Sequence, residues 1–169
     1  METLEIRELR KDDREAMEAF FRQMGQNTDT LFNPHNCNYK ELMNFFEDRE
    51  EAEDHKRWIA MEDGKVAGFV FLWHVMCGVP ELGIVLAENM QGRHLSKAFL
   101  DVAVNWCRDN GKGGVILTTH IANVKAQLLY ESYGFEKMGP TTWTELLYMY
   151  RFGRRYKSGY PACYFEEFE

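Results

Sequence analysis

The chain has 169 residues and a formal net charge of −7, with 45% of residues apolar and 14% aromatic. That length suits one domain with a sizeable core, and the apolar content favours a packed globule over a disordered chain. The acidic balance argues against nucleic acid as the main partner, because phosphate binding needs a basic surface. No run of eighteen apolar residues offers a membrane span, and the opening residues do not read as a signal peptide. Cys37, Cys77, Cys107 and Cys163 are widely spaced with no C-x-x-C. They read as reduced thiols of a cytoplasmic protein, with no metal implied.

In chain order, Thr3 to Leu9 alternates as a short strand. Asp12 and Glu15 form a capping signal for a helix reaching about Met24, with Ala16, Ala19, Phe20 and Gln23 along one stripe. A polar loop holds Asn33-Pro34-His35, and Asn38 with Glu41 repeats the capping signal for a second helix bearing Leu42, Phe45 and Phe46. An acidic run from Glu47 to Asp54 follows. Arg57 to Met61 and Val66 to Val75 read as two strands of a hairpin, turned by Asp63-Gly64, which supplies the positive φ of a type I′ turn. The second of these is almost wholly apolar, as a strand buried on both faces should be.

Glu81 to Leu86 reads as the next strand, then a helix from Arg93 to Asn110 with Leu95, Ala98, Phe99, Val102, Ala103 and Trp106 at helical spacing. Gly111 is its expected stop. Gly114 to Thr119 is a strand and Asn123 to Tyr133 a helix capped by Gly134. Phe135 to Met138 and Thr144 to Phe152 are the closing strands. No repeat or interdomain linker is evident. The whole reads as one α+β domain over residues 1–169, with an extension from about residue 153.

The segment from Glu81 to Phe135 carries the chemistry. Gln91-Gly92-Arg93-His94-Leu95-Ser96-Lys97 opens a helix, whose free N–H groups and partial positive charge suit phosphate. Asn123 opens the next helix, which ends in Tyr133-Gly134-Phe135. The order and spacing of these elements resemble the GCN5-related N-acetyltransferase (GNAT) superfamily. The resemblance implies a mixed, mostly antiparallel sheet of six to seven strands with helices on both faces. Two neighbouring strands would splay apart, and acetyl-coenzyme A would enter the gap as a pseudo-strand.

On that resemblance, Ile84, Val85 and Leu86 would pair with the pantetheine arm, and Gln91, Gly92, Arg93, His94, Leu95, Ser96 and Lys97 would hold the pyrophosphate. His94 stands where the family usually has the first glycine of the turn, and Ser96 where it has glycine or alanine. Glycine allows close backbone approach and positive φ, a region histidine enters less readily. Asn123 is a sufficient N-cap by itself, and the resemblance adds a pantetheine contact. Tyr130, two helical turns on, would protonate the departing thiolate. A phenol titrates near 10 and a thiol near about 8.5.

An alkylamine of pKa about 10.4 needs a base near pH 7. Some family members carry a Glu five residues before the motif Asn; here that position is Thr118. Glu81 at the head of its strand is the main candidate and His120 the second. An α-amine acceptor, titrating at roughly 7.7–8, would need less help. Phe32, Asn33, His35 and Tyr39 are candidates for the acceptor side. The backbone amides of Val85 and Leu86 are candidates for polarising the thioester carbonyl.

These residues read together as an N-acetyltransferase moving acetyl from acetyl-coenzyme A to a primary amine, with no metal, nucleic acid or membrane partner. A homodimer is the commonest closed assembly for such a chain. A non-catalytic coenzyme A-binding or regulatory module with a modified turn, and a fold-only relative that binds no coenzyme A, are the rival readings.

Overall fold

A computed structural model describes residues 4–27, 39–49, 54–90 and 94–153, with backbone alone at 25–27, 39–41 and 88. Its elements are β1 (Glu5–Glu8), α1 (Arg14–Asn27), α2 (Tyr39–Phe46), β2 (His55–Glu62), β3 (Lys65–Trp73), β4 (Glu81–Leu86), α3 (Leu95–Asp109), β5 (Gly114–His120), α4 (Val124–Tyr133), β6 (Glu136–Pro140) and β7 (Glu145–Arg151). Seven strands form one sheet in the order β1-β2-β3-β4-β5-β7-β6. Every pairing is antiparallel except β4 with β5. The fold is the α+β mixed sheet that the chain pattern implies.

The β2–β3 hairpin turns at Asp63 and Gly64, with φ of 53° and 73°, the positive pair that Asp-Gly favours. The start of α1 differs from the expected Asp12–Glu15 cap. A 3₁₀ turn over Lys11–Asp13 precedes the helix, with Arg10 as the N-cap of that turn and Asp13 closing its capping box. The Asp13 carboxylate accepts the Arg10 N–H at 2.7 Å and both Arg7 nitrogens at 2.7 and 2.8 Å. Asp13 is buried, and the Arg7 guanidinium holds its carboxyl below the usual range. The bidentate pair fastens β1 to α1.

Adjacent β3 residues show how the layers sit. Phe69 meets Phe21 of α1 edge-on at 6.2 Å. A Cβ on Gly68, one residue away, would lie 2.6 Å from the Phe99 ring of α3. Successive strand residues point to opposite faces, so α1 and α3 cover opposite sides of the sheet. Arg57, paired with Phe71, lies over the Phe45 ring of α2, which places α2 on the α1 side. Tyr133 of α4 donates to Asp101 of α3 at 2.8 Å, which places α4 beside α3. Fully buried side chains from both layers, among them Met17, Leu42, Phe69, Phe99, Leu100 and Tyr148, form the core.

Candidate active site

β4 and β5 touch only at their beginnings. Glu81 pairs with Ile116, and the Ile116 N–H donates to the Pro80 carbonyl at 3.0 Å. From there the strands part. Two backbone bonds decide which peptide groups face the gap. The Pro80 carbonyl points toward β5, whereas the Ala87 N–H donates to Ala67 of β3 at 2.9 Å. Peptide groups alternate sides along a strand. Beyond the closed ladder at Leu82, the residues of even number on β4, Ile84 and Leu86, therefore present N–H and C=O to the gap, and Val85 spends its own on β3.

This corrects one expectation. Val85 and Leu86 cannot both donate to a group in the gap; Leu86 is the one that faces it. Val85 is 3% exposed, so its part is to pack β4 onto the core. Two facing rows of unpaired peptide groups are the edges that an extended ligand can bridge as an added strand.

Each parted strand leads into a helix at the open end of the gap. After β4 the chain reaches α3 through His94, its N-cap, which has φ 62° and ψ 10°. Histidine here adopts the left-handed conformation that glycine takes at low cost. The side chain is exposed and makes no capping hydrogen bond. The first amide with a helical acceptor is that of Ala98, to the His94 carbonyl at 3.4 Å. The N–H groups of Leu95, Ser96 and Lys97 thus precede the helical ladder and point out of the helix start. Leu95 is buried and anchors the turn. Lys97 lies 3.8 Å from Asp101, one turn along. The expected helix start at Arg93 lies outside the described residues, as do Gln91 and Gly92.

After β5 the chain reaches α4 through Asn123, whose Oδ1 accepts the Ala126 N–H at 3.2 Å. The carbonyl oxygen is spent on the cap, so a ligand would meet the amide NH₂. His120 accepts the Ala122 N–H at Nδ1, 3.0 Å, which makes it a turn residue first and leaves only Nε2 for other work.

Tyr130 lies on the inner side of α4, 9% exposed, against the rings of Phe135 at 5.9 Å and Tyr148 at 6.0 Å. Burial pushes its phenol up to about 12. That bears on its expected part as acid. An ordinary phenol already holds its proton about 1.5 units more tightly than a thiol, and the buried one about 3.5 units, or roughly 5 kcal/mol, more tightly. Full transfer to a free thiolate is uphill. A phenol that keeps its proton is instead a strong hydrogen-bond donor to a developing thiolate.

Glu81 is half-buried at the closed end of the gap, opposite Trp73 of β3. Burial pushes its carboxyl above the usual range, and the charge of His74 acts in the opposite direction. A base whose pKa rises toward neutrality is a better acceptor for an amine proton. On the acceptor side, Phe32, Asn33 and His35 lie outside the described residues, and Tyr39 is described only as backbone at the start of α2.

Two supports were not legible beforehand. Gly83 sits mid-strand in β4, where a side chain would overlap the Phe71 ring. Its absence lets Phe71 lie across β4, stacked on Trp73 at 5.3 Å. A glycine inside a strand is the available signal for such an approach. The Tyr133–Asp101 bond joins α4 to α3 across 32 residues, and no local pattern announces it. Cys107 is buried and its thiol pushed up to about 12, a structural rather than reactive cysteine.

Fold and gap together define a class of sheet proteins that can seat an extended ligand between two parted strands. The sequence matches the profile of the Acetyltransferase (GNAT) family over residues 7–135, and the chain belongs to that family. A Bacillus subtilis (strain 168) protein provisionally named ribosomal protein bS18-alanine N-acetyltransferase is 27% identical over 78 residues. Those residues are 46% of this chain, which matches 52%, about half, of that relative's length. Among solved structures, a GNAT-family acetyltransferase from Streptococcus pneumoniae aligns with TM-score 0.71 at 21% identity, covering 89% of this chain and 100% of the other. PaiA N-acetyltransferase from Thermoplasma acidophilum, solved in complex with coenzyme A, aligns at 0.68 and 19%, covering 89% and 99%. A chimeric spermidine N-acetyltransferase, SpeG from Vibrio cholerae with a segment of hSSAT, aligns at 0.67 and 19%, covering 92% and 98%. Among the described residues no helix is long and apolar enough to cross a membrane.

Proposed function

We propose that this protein is an N-acetyltransferase that uses acetyl-coenzyme A and acts on a primary amine. The observation that carries the proposal is the parting of β4 from β5 beside a helix start whose first amides precede the helical ladder. The gap fits an extended amide-bearing arm, through the Ile84 and Leu86 peptide groups. The turn at His94 fits a diphosphate, through the amides of Leu95, Ser96 and Lys97. The Asn123 amide completes the cofactor side. Gln91, Gly92 and Arg93 are assigned to the turn on the family resemblance. The same ground assigns Phe32, His35 and Tyr39 to the acceptor. The two relatives named above for their acceptors act on a ribosomal-protein alanine and on spermidine. A primary amine is the chemistry they share.

Bound acetyl-coenzyme A supplies the acetyl group as a thioester, open to direct attack by the amine nitrogen. The Leu86 N–H polarises the thioester carbonyl and takes the place of an oxyanion donor. Glu81, directly or through a water, accepts the proton that the amine loses as the new C–N bond forms. Tyr130 donates a hydrogen bond to the sulfur as the C–S bond breaks, and keeps its proton. The products are an N-acetyl amide and the coenzyme A thiolate, which takes its proton from water as Glu81 gives its own back to solvent, and no enzyme side chain is acylated.

Calorimetric titration with acetyl-coenzyme A and with desulfo-coenzyme A tests the cofactor side. Turnover on a panel that includes spermidine and a peptide with N-terminal alanine tests the transfer. Micromolar binding with transfer to one of these amines is expected. Tight binding with no transfer to any amine would replace this reading with the non-catalytic coenzyme A-binding module. No binding at millimolar cofactor would leave the fold alone.

A further inference from the structure

The two helices that follow the parted strands are joined by a side-chain bond. α3 continues from β4 and packs over β3, β4 and β5, whereas α4 continues from β5 and lies against β6. The phosphate turn at His94 opens α3, and Asn123 opens α4. Tyr133, the last residue of α4, donates its phenol to Asp101 Oδ1 of α3 at 2.8 Å. On the α4 side the Tyr133 ring lies against Phe135 at 5.9 Å and Tyr150 at 5.8 Å, and those two rings meet edge-on at 5.4 Å. Burial and the bond to Asp101 push the Tyr133 phenol above its usual range, so it stays a donor at neutral pH. On the α3 side the other oxygen of the same carboxylate, Oδ2, lies 3.8 Å from Lys97 Nζ, one turn back at the phosphate turn. That exposed pair is weak, and the Tyr133 bond is the firmer arm. A second tie, Arg108 over the Phe152 ring at 5.1 Å, lies about two turns farther from the α3 start.

We propose that Tyr133 and Asp101 are positioning residues for the cofactor: their bond holds the phosphate turn of α3 at a fixed distance from the gap. The inference rests on the coenzyme A reading above. On that reading the pantetheine arm lies between β4 and β5 with Asn123 beside it, and the diphosphate lies at the amides of Leu95, Ser96 and Lys97. These two subsites stand on elements that the parting of β4 from β5 has separated. Where the strand ladder no longer sets their spacing, the bond between the helices does. A ligand that spans two sites gains over its halves by the effective concentration that the spacing sets. A spacing fixed before binding spares the cost of ordering it. Each half of the ligand feels its own subsite and not the distance between them.

Calorimetric titration of the full chain with three probes tests this. Acetyl-coenzyme A spans both subsites, S-acetylpantetheine fits the gap, and adenosine 3′-phosphate 5′-diphosphate fits the turn. The association constant of the whole, divided by the product of those of the halves, is a linking term. It cancels the direct effect of any charge on either subsite. Tyr133→Phe keeps the ring against Phe135 and Tyr150 and removes only the donor, and Asp101→Ala removes the acceptor. Each is expected to lower the linking term by about three- to tenfold. The double variant should lose no more than either single one, because all three remove the same bond. The halves should bind Tyr133→Phe as they bind the parent, and a cooperative melting curve for each variant shows that it is folded. An unchanged linking term in Tyr133→Phe overturns the proposal. So do losses that add in the double variant, which would give the two residues separate effects. A weakening of the halves that accounts for all of the loss in the whole also overturns it, since the spacing would then play no part. A parent that binds no acetyl-coenzyme A fails the cofactor reading and this inference with it, a result distinct from a parent and variant that bind alike.

Discussion

His94 is the position where the backbone account of the phosphate turn can be tested against a side-chain account. The residue holds φ 62° at the start of α3, with its side chain exposed and no cap bond of its own. Leaving the left-handed conformation to glycine relieves roughly 1–2 kcal/mol of strain. The greater freedom of glycine in the unfolded chain takes back about 0.4–1 kcal/mol. His94→Gly should therefore be neutral or stabilising by up to about 1.5 kcal/mol, a rise of at most roughly 3–6 °C in melting temperature for a chain of this size. The amides of Leu95, Ser96 and Lys97 keep their directions, so the acetyl-coenzyme A affinity should stay within about threefold. His94→Val reverses both signs. A β-branched residue is an outlier at positive φ, and about 2 kcal/mol of added strain would lower the melting temperature by roughly 4–8 °C and weaken the cofactor together. Thermal unfolding and calorimetric titration on the three proteins read both quantities. A loss of more than tenfold in affinity for His94→Gly would show that the imidazole itself holds the ligand, and the backbone argument would fall.

Three further outcomes follow from the geometry. Tyr130→Phe should lower turnover by about 10–10²-fold with acetyl-coenzyme A binding unchanged, because one hydrogen bond to a charged group contributes about 1.5–3 kcal/mol; unchanged steady-state turnover would remove Tyr130 from the reaction. Gly83→Ala places a methyl group where the Phe71 ring lies, and such overpacking costs about 1–3 kcal/mol; a melting curve that superimposes on the parent would show that the ring moves freely. For Glu81 the folded carboxyl is raised above its unfolded value, so the folded state binds the proton more tightly. Stability is then lost as pH rises from the ordinary carboxylate range through the raised value. Glu81→Gln should melt higher than the parent at neutral pH, with the difference vanishing in acid. A parent that melts higher at pH 7 would reverse that sign.

Much of the fold was legible because its signals are local. Asp63-Gly64 declares its hairpin, the apolar spacing from Leu95 to Trp106 declares a helix, and Asn123 caps the helix it precedes. The order of these elements carried the family resemblance, and with it the positions at which to look for a site. Boundaries slipped where a distant partner intervenes. The capping box forms at Asp13, on a 3₁₀ turn ahead of α1, because Arg7 and the Arg10 N–H converge there.

The sequence by itself determined the elements, their order, and the residue types at the turn and helix starts, since each depends on neighbours a few positions away. Tertiary structure alone decided which peptide groups face the gap. That parity follows from the bonds of Pro80 to Ile116 and of Ala87 to Ala67, and a shift of one residue would have turned Val85 toward the gap and Leu86 away from it. It likewise decided that Tyr130 is buried enough to keep its proton and that Glu81 feels both desolvation and His74. Burial and charge at a site are sums over groups brought together from separate strands and helices, and the chain order does not contain those distances.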